Sequence, residues 1–163
     1  MPNWCNNSVV IEGPTDTIKG IWKGFKETGK LLSTLLPESP KDDLGYSLWS
    51  RDIGENNLEI RDIGNGLSVI EGYFDSAWCS PYIIFKECCD NDKDICIRSF
   101  YYEEGMNYVG WSLDGICSDH YLDVIKPDNI KYSFPNSYVF EFGIIDFFMD
   151  YWERLKEYED EAA

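Results

Sequence analysis

Two periods of apolar residues divide the chain into elements. Between Asn7 and Gly13, Val9 and Ile11 alternate with Ser8, Val10 and Glu12, and Gly13-Pro14 closes the run with a turn signal, so this segment reads as a strand. Ile18, Ile21, Trp22 and Phe25 then recur at i, i+3, i+4 and i+7, which predicts a helix capped by Thr15 or Asp16 and ending at Gly29. Leu31 to Leu36 is a short apolar run stopped by Pro37 and Pro40. From there to Gly54 the chain is polar and turn-rich, with Trp49 as its one large anchor, and reads as a connecting excursion.

Leu58–Ile63 and Leu67–Phe74 flank Gly64-Asn65-Gly66, a strong hairpin signal, so they are expected to pair antiparallel. Ser80 followed by Pro81 has the form of a helix start, with Ser80 as N-cap, and Ile84, Phe85 and Cys88 supply the apolar stripe. Ile95–Tyr102, Tyr108–Leu113 and Ile116–Val124 read as three successive strands separated by Gly-containing turns. Ile145, Phe148, Met149, Trp152 and Leu155 recur at helical spacing and predict an amphipathic helix from Phe142 to about Tyr158. The order β-α-β-β-α-β, with extra strands and a C-terminal amphipathic helix, implies an α+β fold of the ferredoxin-like kind, its sheet antiparallel. At 163 residues the chain is expected to form a single ferredoxin-like domain, 1–163, with a helical extension at about 140–160.

Composition narrows the class. The chain is 44% hydrophobic and 16% aromatic, too apolar for a disordered acidic tail. Against 14 Lys and Arg stand 30 Asp and Glu, a formal charge of −16 that repels phosphate backbones and argues against direct binding to nucleic acid. No basic n-region opens the sequence and no long apolar run crosses it, so a soluble, cytoplasmic protein with no membrane partner is expected. The six cysteines, Cys5, Cys79, Cys88, Cys89, Cys96 and Cys117, form no CxxC pair and are expected to be reduced thiols.

Three separated motifs carry a resemblance. Met1-Pro2-Asn3-Trp4-Cys5-Asn6-Asn7 opens the first strand, Phe74-Asp75-Ser76-Ala77-Trp78-Cys79-Ser80-Pro81 opens the second helix, and Tyr101-Tyr102-Glu103-Glu104-Gly105-Met106-Asn107-Tyr108-Val109-Gly110 spans a strand turn. In this order, over residues 1 to about 113, they resemble the YubB/Api-like ferredoxin-like family of phage and plasmid proteins. The resemblance implies that fold, a mobile-element origin and the cytoplasm of a bacterial host. The family's tryptophan-rich strand before its Ala-Trp-Ser-Pro motif is replaced by Asn56–Asp62, and Cys79 stands before Ser80-Pro81. The role of that strand therefore does not transfer.

Candidate chemistry is sparse. His120 is the one histidine; its neighbour Cys117 is three residues away, on the opposite face of a strand, and no further ligands complete a zinc shell. Asp90-Asn91-Asp92-Lys93-Asp94 begins like a calcium loop but has Ile95 at position six and Tyr101 at position twelve, so it reads as a turn. Glu103-Glu104 is a carboxylate pair, for which a solvated turn is the simpler account. Tyr101, Tyr102, Tyr108 and Trp111 lack the interleaved basic residues of a base-stacking sheet and read as a core-facing layer beneath the C-terminal helix. No catalytic residue, cofactor or metal is therefore expected.

The charge is unevenly placed. Residues 1–36 carry a net +1, the remainder −17, and residues 141–163 alone −6. Joined to the family resemblance, this suggests a non-enzymatic binding protein that inhibits a host nucleic-acid-targeting defence complex, of anti-CRISPR or anti-restriction type. Its partner is then a host protein with a basic nucleic-acid-binding groove, met by carboxylates that stand in for phosphates. Glu103, Glu104, Asp114, Trp111, Asp150, Glu153, Glu157, Glu159, Asp160 and Glu161 are the candidate partner-binding residues. Two other readings are a small-molecule-binding or enzymatic domain with a pocket near Trp78, Tyr102 and Glu104, and a homodimer burying the Phe147–Tyr158 face.

Overall fold

The structure, a computed structural model, describes residues 3–36 and 52–162. In chain order the elements are β1 (Trp4–Pro14), α1 (Thr15–Thr28), α2 (Leu31–Leu35), β2 (Asp52–Gly64), β3 (Leu67–Ala77), α3 (Tyr82–Asn91), β4 (Cys96–Glu103), β5 (Tyr108–Leu113), β6 (Ile116–Tyr121), α4 (Ile130–Ser133), α5 (Asn136–Glu141) and α6 (Ile144–Ala162). They divide into two compact units, residues 1–122 and 123–163, and the segment expected as a helical extension lies within the second. The connecting excursion expected around Trp49 lies outside the described residues as far as residue 51.

The first unit is a mixed α+β fold. β1 is its central strand, paired antiparallel with β3 on one side and β4 on the other. β2 adds outside β3, and β5 and β6 add outside β4, giving a six-stranded sheet in the order β2-β3-β1-β4-β5-β6 in which neighbouring strands run antiparallel. Val9 and Ile11 of β1, Ile70 and Phe74 of β3 and Ile97 of β4 share one face. They form a core with Ile18, Ile21 and Phe25 of α1, Leu31, Leu32 and Leu35 of α2, and Ile84, Phe85 and Cys88 of α3. The stripe on α1 lies where its spacing placed it, and Gly29 closes the helix in the left-handed conformation.

Tight turns set the register. Asn65 and Gly66, at φ 56° and 77°, and Asp114 and Gly115, at 51° and 80°, each place two successive residues at positive φ, as a two-residue hairpin demands. Several boundaries differ from the sequence reading. β1 starts at Trp4 and β2 at Asp52, because neighbouring strands continue to pair beyond the alternating apolar core. The third strand of the final series ends at Tyr121, and Leu122–Val124 is a short 3-10 turn. No side-chain hydrogen bond caps α1, so neither Thr15 nor Asp16 serves there. Ser80 does not cap α3 either: the flanking residue is Pro81, and the Ser80 hydroxyl is buried with no hydrogen-bond partner.

In the second unit, Gly143 at φ 59° separates α5 from α6. Phe148 anchors an aromatic cluster, with ring centroids 5.9 Å from Phe134, 5.0 Å from Phe147 and 5.5 Å from Trp152. The Trp152 indole donates to the Ile125 carbonyl at 3.3 Å.

Gly72 marks a close approach of the β2 backbone to its neighbour β3. Its φ is 134°, and a Cβ there would overlap the Asn57 carbonyl oxygen. Gly72→Ala is expected to destabilise the first unit by ~2 kcal/mol or more, since backbone must move to relieve both strain and overlap. A urea titration followed by tryptophan fluorescence checks this; an unchanged midpoint would contradict it.

Candidate functional site

α6 places its side chains in three stripes. Ile144, Phe148 and Tyr151, at i, i+4 and i+7, are buried. Beside them run Ile145, Met149 and Trp152, and Ile145 and Met149 are 48% and 49% exposed. The expected apolar stripe therefore merges two: of its five members Phe148 alone is fully buried, whereas Ile145, Met149 and Leu155 face outward. The third stripe is acidic. Asp146, Asp150, Glu153, Glu157, Asp160 and Glu161 recur at i, i+4, i+7, i+11, i+14 and i+15, which on a helix of 3.6 residues per turn is one exposed face. At 1.5 Å per residue the ridge is about 22 Å long.

This ridge works against its own helix. Asp146/Asp150, Glu153/Glu157 and Glu157/Glu161 are like-charge pairs at i, i+4, each destabilising by about 0.2–0.5 kcal/mol. The last turn holds no basic residue, so Glu159, Asp160 and Glu161 sit at the negative end of the macrodipole. Arg154 and Lys156 are the two cations on α6, and the Arg154 guanidinium lies over the Tyr151 ring. Glu159 departs from the ridge: it lies on the other side of the helix with Leu155 and Lys156, lining a depression with Lys126, Pro127 and Trp152.

That depression continues a larger groove of about 620 Å³, whose apolar wall is Ile130, Val139, Phe140, Ile145, Met149 and Trp152, with Asp128, Lys131 and Asn136 at its margin. Pro127 and Trp152 belong to both. Phe140 is 84% exposed, an unusual state for a phenylalanine in a folded protein.

The other expected residues are held apart by the sheet. Glu103 is not a solvated turn residue: it is buried, and its two carboxylate oxygens accept the Gly105 and Met106 backbone N–H groups, fastening the β4–β5 turn. Its neighbour Glu104 is exposed. Asp114 also turns inward, accepting the Ile97 N–H at 2.7 Å and lying 3.4 Å from the Cys89 sulfur. Trp111 is half-buried on β5 opposite Phe100. Glu103 and Asp114 occupy opposite ends of the β4–β5 hairpin, so they do not form one surface. Trp78 is 53% exposed and held at φ 73°, its N–H donating to the Asn3 carbonyl and its carbonyl accepting the Tyr108 hydroxyl. Neither Trp78, Tyr102 nor Glu104 lines the 620 Å³ groove.

The three sequence motifs meet at one end of the sheet, where Asn7 pairs with Phe74 and with Tyr101. Neither there nor on α3 is a thiol poised for chemistry. Burial pushes the Cys5 thiol up to about 12 and the Cys88 thiol up to about 11, and raises Cys89 as well. Burial and the bond to Asp119 hold the Tyr101 phenol well above its usual range. These groups are poor nucleophiles and bases near neutral pH. Among the described residues no group of three His, Cys, Asp or Glu side chains is placed to hold a metal ion, and no helix is long and apolar enough to cross a membrane.

Two expectations follow from these charges and thiols. Replacing Glu157, Glu159, Asp160 and Glu161 by their amides is expected to raise the melting temperature at low ionic strength, by a gain of about 1 kcal/mol that shrinks in 0.5 M salt; a lower melting temperature would contradict it. Cys5 and Cys88 stay protonated in the folded state while an unfolded chain ionises from the ordinary value of 9.0, so stability falls as pH rises from about 9 toward 12. Urea midpoints measured from pH 8 to 11 should therefore decline, and a disulfide-exchange reagent at pH 8 should spare both thiols until the chain unfolds. No protein-family model matches the chain, and no curated protein or solved structure matches it.

Proposed function

We propose that this chain is a non-enzymatic binding protein whose α6 ridge occupies the basic nucleic-acid groove of a host defence protein. One observation carries the reading: carboxylates line a single exposed helix face, three like-charge pairs at i, i+4 among them, and the last turn holds no cation. Solubility alone requires charge, not charge in a row. Six carboxylates over about 22 Å approach the spacing of one DNA strand, which places a phosphate every ~3.4 Å of axis.

The mobile-element setting in a bacterial cytoplasm rests on the three motifs that resemble the YubB/Api-like family. The ferredoxin-like assignment has a second support. From one edge the first four strands run β2-β3-β1-β4, with α1 between β1 and β2 and α3 between β3 and β4, an order that supports a split βαβ sandwich.

The test uses the immobilised protein and a nuclease-treated bacterial lysate at low salt. Nucleic-acid-binding proteins should be retained, released by duplex DNA, and retained at least ten-fold less by an Asp150→Asn, Glu153→Gln, Glu157→Gln, Asp160→Asn variant. Recovery of no such protein, or retention indifferent to both duplex and substitutions, would overturn the proposal.

A further inference from the structure

The groove beside the ridge has a shape that a compact ligand does not need. The 620 Å³ groove and the depression that shares Pro127 and Trp152 with it form one trough along α6, from Ile145 to Glu159, about 21 Å long at the helical rise. Its α6 wall presents Ile145, Met149, Trp152 and Lys156 at i, i+4, i+7 and i+11, the periodicity with which one helix receives another. Ile145 and Met149 stand between the buried stripe and the acidic ridge, so on that side the trough is bordered by Asp146 and Glu153, while Lys126, Lys131 and Lys156 line it elsewhere. A second copy of this chain brings a further charge of −16 against that border, which opposes it.

We infer that the trough receives a basic amphipathic helix of about four turns from the protein partner, its apolar face on Ile145, Met149, Trp152 and Phe140 and its lysines or arginines on the ridge. This rests on reading the ridge as a binding surface and adds the element that meets it. Apolar anchors supply the desolvated contact, and the carboxylates steer the approach and fix its orientation.

The experiment uses the full chain and two labelled 18-residue peptides of equal positive charge. One is built of Leu and Lys in helical amphipathic order, the other of Ser and Lys. The Leu/Lys peptide should bind at least ten-fold more tightly by fluorescence anisotropy. An Ile145→Glu, Met149→Glu variant should erase that preference although it adds negative charge, which a purely electrostatic association would reward. The milder Ile145→Gln, Met149→Gln variant should reduce it, with far-UV circular dichroism unchanged in both. Equal binding of the two peptides, or a preference that survives the glutamates, overturns the trough inference and leaves the ridge reading standing. If amide substitution of Asp146, Asp150, Glu153 and Glu157 weakens neither peptide, the ridge reading fails and this inference with it. A wild-type dimer by sedimentation that dissociates in the Met149→Glu variant would assign the trough to a second copy instead.

Discussion

The first unit depends on one buried amide. Asn7 sits on the central strand β1 with no exposed surface, and its Nδ2 lies 2.9 Å from the Cys5 carbonyl, 3.2 Å from the Phe74 carbonyl and 2.9 Å from the Ser76 hydroxyl. Ser76 passes the chain on to the Cys79 carbonyl at 2.7 Å. A buried amide stripped of partners costs a few kcal/mol, so the network tolerates a single register of β1 against β3. A slip by one residue would turn Asn7 out and move Val9 and Ile11 off the face that α1, α2 and α3 cover. Hydrophobic burial drives the collapse, but this polar cluster selects which collapsed sheet survives. The same cluster holds the segment that leads into α3.

Charge and packing are separated in the second unit. The side chains that hold it together, Phe134, Phe148 and Tyr151, share no stripe with the carboxylates of α6. Substitutions along the ridge therefore alter the field without opening the core. In the first unit the reverse holds, because Glu103 and Asp114 are acidic residues consumed by turns. Net charge thus overstates the acidity available at a surface.

Much of the fold was legible in local pattern. The Asn65-Gly66 and Asp114-Gly115 turns, the α1 stripe and its Gly29 stop all follow from backbone chemistry that acts within a few residues. What escaped depends on partners distant in sequence. Ser80 and Pro81 have the composition of a helix start, yet Pro81 takes φ −82° and ψ 39° and the helix begins one residue later. Tyr138–Trp152 is so apolar that its period does not reveal which side is buried or that Gly143 divides it. The acidic residues of α6 were visible as composition; their alignment emerges from helical geometry once the boundaries are placed. The inward carboxylates of Glu103 and Asp114 carry no periodic signal, since each bonds backbone that only the hairpin brings near. The trough had a trace in sequence: of the five residues in the apolar stripe on α6, four, Ile145, Met149, Trp152 and Leu155, fall outside the buried one.

The opposition between the end of α6 and its own dipole divides the ridge in mechanical terms. Helix termini are the first backbone to open, and here repulsion at Glu157, Asp160 and Glu161 lowers the work of opening further. Asp146, Asp150 and Glu153 lie beside the aromatic anchors and behave as marks on a ruler, at fixed intervals. The final carboxylates, on the turn that opens first, would serve as a short charged leash. A binding surface made of both would measure one end of its target and adapt to the other.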